Sequence, residues 1–146
     1  MSELAVALSG CLADVTVMYH RTHAFHWNVV GTDFPQYHAK FEEIYTDVYE
    51  SIDPLAENIR KVGKFVPFRL QDLSAMASTP DNPVSGYHHD DLVKDLLVTN
   101  TEVIRSLKAA FQIADSENEQ GIANFLADRI DSHQKWQWQL TACLQG

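Results

Sequence analysis

The chain has little of what marks secreted, membrane-spanning or nucleic-acid-binding proteins. Its 146 residues include only two cysteines, Cys11 and Cys143, each inside an apolar helical pattern. They read as buried thiols rather than a disulfide or a redox pair. No run approaches the roughly 18 uninterrupted apolar residues of a membrane span, and residues 1–10 carry Glu3 but no Lys or Arg. Neither a spanning helix nor a secretory leader is expected, and the expected location is the cytoplasm. Basic residues are scarce and scattered: 11 Lys and Arg stand against 20 Asp and Glu, a formal net charge of -9. Phosphate backbones would be repelled at long range. Acidity also attracts cations, or simply keeps a surface solvated, and charge alone does not choose. There is no alternating β pattern, internal repeat, low-complexity tract, nucleotide-binding loop or nucleophile elbow, so the chemistry must lie in histidines and carboxylates.

What is present is helical periodicity. With 45% apolar residues the chain can fill one core, and residues 1–146 are expected to form a single domain. Leu4, Leu8, Leu12, Val15, Met18, Tyr19 and Phe25 recur at three- and four-residue steps, predicting a first helix that runs to a break at Gly31, with His26 on the same stripe. A second helix is predicted from near Pro35 to Val62, its stripe formed by Phe41, Ile44, Val48, Ile52, Leu55, Ile59 and Val62 and its stop by Gly63. Residues 63–86 are irregular, carrying Pro67, Pro80 and Pro83 around a short helical candidate at Gln71–Ala77. A third helix is predicted from His88 to Ala114 and a fourth from Glu119 to Leu144. The expectation is an all-α protein: a ferritin-like four-helix bundle with a short extra helix in the long connection between helices two and three.

The second helix sets His38 and Glu42 four residues apart, and Asp53 and Glu57 four apart, on a sector of roughly 100°. One such pair usually makes a surface hydrogen bond; two on one face, with His26 upstream, can hold metal. Glu42 and Asp53 are eleven residues apart, about 16 Å along a straight helix, whereas two bridged metals lie only about 3.5 to 4 Å apart. One helix cannot close such a site. Two copies packed antiparallel about a two-fold axis near Asp47 and Val48 would bring His38 and Glu42 of one against Asp53 and Glu57 of the other. This requires a continuous helix, and Asp53-Pro54 could equally begin a new one. The stripe stays in phase across Pro54, which favours continuity. Two imidazoles and three carboxylates suit iron better than calcium or structural zinc, with zinc and manganese still open.

At these residues the sequence resembles the Dps family, the DNA-protection-during-starvation mini-ferritins, over nearly its whole length. The resemblance is carried by His26-Trp27, His38, Glu42, Asp53 and Glu57, supported by His26-Trp-Asn-Val before Gly31, Leu55-Ala-Glu-Asn-Ile-Arg60 and Ile130-Asp-Ser-His133. It implies a homo-oligomer, a twelve-subunit hollow shell, that oxidises Fe(II) at di-iron sites, preferably with hydrogen peroxide rather than dioxygen, and stores the ferric product as mineral. It also implies sites shared between subunits, with His26, His38 and Glu42 from one and Asp53 and Glu57 from the other. Family members that bind DNA typically carry a Lys- or Arg-rich tail. Here the first helix begins almost at Met1 and the last ends close to Gly146, so DNA binding is not expected; a DNA-condensing shell with little ferroxidase activity is the alternative.

Other residues carry two readings each. Trp27 could supply an electron beside the site or only pack. His23 could be an extra ligand or a satisfied surface histidine. Asp115, Glu117 and Glu119 could line an iron-entry pore or only complement a helix start. His88-His-Asp-Asp91 is expected to complement a helix N-terminus, and His133 to be a satisfied core or interface histidine.

Overall fold

The computed structural model describes residues 2–146, and among them it shows five helices and no strand. They are α1 (Glu3–Asn28), α2 (Phe34–Lys61), α3 (Leu70–Met76), α4 (His89–Ser116) and α5 (Gln120–Cys143). Short turns make antiparallel hairpins of α1–α2 and α4–α5. The long connection carrying α3 returns the chain to the end where α2 began, so that the Val30 amide donates to the Tyr87 carbonyl at 3.0 Å. This is the ferritin-like arrangement expected from four long stripes and one long link.

The ends follow local chemistry. Ser2 caps α1 by accepting from the Ala5 amide at 3.1 Å. Pro35 sits in the first turn of α2, where its missing N–H is not needed. At the other end Gly63 adopts φ 87°, and the amides of Gly63 and Lys64 close back on the carbonyls of Arg60 and Ile59. Asn118, with φ 59°, closes α4 in the same way through Ala114 and Asp115. That closure explains why α4 continues through Ser116, beyond the expected end at Ala114. Pro54 lies inside α2, which runs through it without a break.

The core is one cluster fed by all four long helices, with Leu4, Leu8, Met18, Phe41, Ile44, Leu55, Ile59, Leu92, Leu96, Leu107, Leu126 and Leu140 fully buried. Each such side chain stabilises by about 1.5 to 3 kcal/mol, so this cluster dominates folding. Polar anchors then decide where the long connection lies. Buried Asp14 accepts from the Ser78 amide, the Ser78 hydroxyl and the Thr79 amide at 2.7, 2.8 and 2.9 Å. Two turns along α1, Arg21 grips Asp95 at 2.7 Å, Asp81 at 2.9 Å and the Asn82 carbonyl at 2.8 Å. No helix of the described residues is long and apolar enough to cross a membrane.

Candidate metal centre

The turn between α1 and α2 builds the core of the site. Gly31 takes φ 124°, a backbone conformation that side-chain-bearing residues rarely adopt, so glycine suits the reversal although a β-carbon there would only touch the His88 ring at 3.4 Å. This tight reversal lays His26, in the last turn of α1, against His38, in the second turn of α2. Their rings stack with centroids 3.7 Å apart and planes 14° from parallel.

The two imidazoles are locked by a reciprocal pair of bonds. Nδ1 of His38 lies 2.6 Å from the His26 carbonyl, and Nδ1 of His26 lies 2.6 Å from the His38 carbonyl. The first of these has a cause in the helix end. The His26 carbonyl would normally receive the Val30 amide, but that amide turns to Tyr87, and the His38 ring supplies the missing donor. A carbonyl only accepts, so both Nδ1 atoms carry hydrogen, and in the neutral rings both Nε2 lone pairs are free for a metal. One Glu42 carboxylate oxygen lies 3.8 Å from His26 Nε2. Phe34 stacks on the outer side of His38 at 4.8 Å, and Tyr45 meets His26 edge-on at 5.3 Å.

His26, His38 and Glu42 are therefore brought together within one chain. Asp53 and Glu57 are not: both are exposed, further along the unbroken α2, with Asp53 about 16 Å of helix axis beyond Glu42. Asp53 lines an open groove of about 500 Å³ with Tyr49, Glu50, Ile52 and Ala56. A cavity of about 440 Å³ between α1 and α3 holds no comparable donor set and is less relevant to metal chemistry. Trp27 is 56% exposed and lies against His23 rather than His26, with centroids 4.2 Å apart. His23 is sandwiched between Trp27 and Tyr45, and its Nδ1 is 3.0 Å from the Tyr19 hydroxyl. Partial burial, then the neighbouring His26 and His20, hold its pKa below the usual histidine value.

The His88-His89-Asp90 group also converges. Its main work is structural: His88 Nδ1 accepts from the Asp90 amide at 3.3 Å as the α4 cap, and Tyr37 stacks on His89 at 4.2 Å, 2° from parallel. His89 Nδ1 also approaches an Asp90 carboxylate oxygen to 2.9 Å, off the axis of a hydrogen bond. A cation there would face the positive end of α4, which disfavours it.

A partly buried polar network joins α2, α4 and α5, of which only the satisfied state of His133 was expected from sequence. Arg129 holds Asp47 through two bonds of 2.9 and 3.0 Å, and Trp136 Nε1 donates to the same carboxylate at 2.8 Å. Burial pushes the Asp47 pKa up, but these bonds and the Arg129 charge outweigh it and leave it below the usual carboxylate value. Arg129 also donates to His133 Nε2 at 3.1 Å, and His133 Nδ1–H donates to the Asn100 side-chain oxygen at 2.9 Å. Wholly buried and facing a guanidinium, His133 is pushed down to about 3 and stays neutral. It is the satisfied core histidine expected.

Comparison with known proteins agrees with the fold. A family model described as "Ferritin-like domain" matches residues 6–146. A DNA protection during starvation protein of Brevibacillus brevis is 32% identical over 143 residues, covering 97% of this chain and 95% of its own. One from Helicobacter pylori is 30% identical over 132 residues, covering 90% and 92%. The chain belongs to the Dps family of ferritin-like proteins. Among solved structures, a Dps protein from Bacillus brevis superposes with TM-score 0.91 at 31% identity, covering 97% of this chain and 95% of that one. The Dps protein of Vibrio cholerae O1, described as a member of a broad superfamily of ferritin-like diiron-carboxylate proteins, gives TM-score 0.92 at 29% identity, covering 98% and 89%. In this Dps chain the donor set fits iron: two imidazole nitrogens held ready and a carboxylate beside one of them.

Proposed function

We propose that this Dps chain is a ferroxidase and iron-storing mini-ferritin whose site is completed by a second copy of itself. The observation that carries it is the reciprocal histidine clasp, which presents two Nε2 lone pairs beside Glu42 on a surface lacking the remaining ligands. Ferrous iron is the substrate. His26, His38 and Glu42 of one chain and Asp53 and Glu57 of the partner subunit hold two ions. Each Fe(II) gives one electron, hydrogen peroxide takes both, and with two protons it leaves as two waters. Carboxylates stabilise the added positive charge, and the ferric product is stored inside the shell. Peroxide as preferred oxidant, a dodecameric shell and a cytoplasmic setting go with this reading. Phe65, Phe68 and Leu70, each more than four-fifths exposed in the single chain, suit burial against other copies.

Two variants test it. The double substitution His38→Ala with Glu42→Ala should abolish rapid peroxide-driven Fe(II) oxidation, followed by ferric absorbance, while the native mass of the assembly persists. So should Asp53→Ala with Glu57→Ala. Co-expressing the two should restore activity, because each mixed pair regains one complete site of two, about a quarter of wild-type activity if pairing is random. Undiminished oxidation by either variant alone would refute the assignment.

The names of the relatives support a second reading, a DNA-binding shell. The net charge of -9 opposes it. No retardation of duplex DNA is expected in a low-salt gel at neutral pH, and clear retardation would favour the second reading.

A further inference from the structure

Beside the histidine clasp runs a cluster of aromatic rings that includes Tyr19, which packs against the edge of the core, and whose polar ends face one another rather than the core. Tyr45 meets the His26 ring edge-on at 5.3 Å and stacks on His23 at 4.0 Å, 16° from parallel. His23 in turn touches Trp27 at 4.2 Å and is hydrogen-bonded through Nδ1 to the Tyr19 hydroxyl at 3.0 Å. Tyr19 then leads at 5.1 Å to Tyr49, which is 59% exposed. Oxidisable rings thus extend from a candidate iron ligand to the surface in steps short enough for an electron to cross.

One contact has a chemical meaning beyond packing. A phenol that loses an electron becomes a very strong acid, so it is readily oxidised only where a base can take its proton at once. Among the described residues, Tyr19 is hydrogen-bonded to an imidazole, whereas the hydroxyls of Tyr45 and Tyr49 show no such bond. We propose that Tyr19, with His23 as its proton acceptor and Tyr45 as the intervening ring, is a one-electron donor to the iron-oxidising site. This rests on the ferroxidase reading.

The need arises when only one Fe(II) is bound. Peroxide requires two electrons, and a single ferrous ion supplies one, which would release hydroxyl radical. Here Tyr19 supplies the other. Its O–H bond breaks, the electron passes through Tyr45 towards the iron, and the proton passes to His23 Nδ1. In balance, one hydrogen peroxide, one Fe(II), one tyrosine and one proton from solvent give one Fe(III), one neutral tyrosyl radical and two waters. The proton on His23 returns to solvent within that sum. Tyr49 offers the radical a way to the surface, where an external reductant can quench it.

The test uses the whole assembled protein, loaded without oxygen with one or two ferrous ions per site, mixed with hydrogen peroxide, frozen rapidly and read by electron paramagnetic resonance. Wild type with one iron per site should give a tyrosyl radical signal that narrows when the tyrosine rings are deuterated, and the signal should fall when two irons are present. Tyr19→Phe keeps the ring and its packing and should lose the signal. His23→Gln keeps a hydrogen-bond acceptor but no base and should lose it too. Wild-type protein that oxidises iron rapidly without a tyrosyl radical at one iron per site would overturn the proposal. So would a wild-type signal in Tyr19→Phe. If wild type loaded with two irons fails to consume peroxide at all, the ferroxidase reading itself falls.

Discussion

His133 gives this fold a specific weakness to acid, and its size can be worked out. The group has a folded pKa of about 3 against an ordinary 6.5, because burial and Arg129 oppose its charge. A depressed folded pKa means that the unfolded chain binds the proton first. Stability is therefore full above pH 6.5, falls as pH drops, and the loss is complete only once pH has passed below about 3. Each unit of separation is worth about 1.36 kcal/mol, so this one group removes about 2 kcal/mol at pH 5 and about 3 kcal/mol at pH 4. For a chain of this size that is about 4 to 8 °C of melting temperature at pH 5. Asp47, also depressed, acts in the same direction but only as pH falls below the usual carboxylate value of 3.8; His23, depressed as well, and Glu102 act within the window from pH 6.5 to 4, so the difference between wild type and a His133 variant, rather than the wild-type slope alone, reports this histidine. His133→Gln can still accept from Arg129 and donate to Asn100 but does not titrate. It should lose some stability at neutral pH, yet its stability should fall less steeply in that window. The measurement is denaturant or thermal unfolding across pH at one fixed protein concentration. If the wild-type and His133→Gln curves run parallel from pH 6.5 to 4, the assignment of the acid weakness to His133 is wrong.

Two further outcomes follow from the fold. Asp14→Ala removes three bonds that fasten Ser78 and Thr79 to α1 and should lower unfolding free energy by about 2 to 4 kcal/mol, with faster proteolysis between residues 63 and 88. Gly63→Ala meets no steric obstacle, but its backbone is left-handed at φ 87°, so the loss should be about 1 kcal/mol in equilibrium unfolding.

The parts of this molecule that depend on side-chain period were legible in the sequence. The stripes from Phe41 to Val62 and from Leu92 to Phe111 fixed helices to within a few residues, and their phase across Pro54 correctly indicated one continuous α2. Glycine at 63 gave the stop because only its φ permits the closing bonds. His38 and Glu42 on one face of α2 were readable from their spacing, and the family resemblance added His26 to them. Their locking was not, because it depends on a backbone carbonyl left without its usual amide by the turn at Val30. The Asp47–Arg129–His133–Asn100 network escaped for a related reason: His133 was expected to be satisfied, but its partners come from three helices, and Asp47 and Asn100 lie far from it in sequence. The His23 sandwich likewise combines residues of α1 and α2 whose pairing only the interhelix register reveals.

The unbroken length of α2 acts as a ruler. By holding Asp53 about 16 Å of helix axis from Glu42, it keeps either half of the ligand set from folding back to serve itself. On the proposed function, a solitary chain is chemically silent. Iron turnover then rises with the square of chain concentration in the dilute limit, and a newly made subunit cannot begin peroxide chemistry before it has found a neighbour to contain the product.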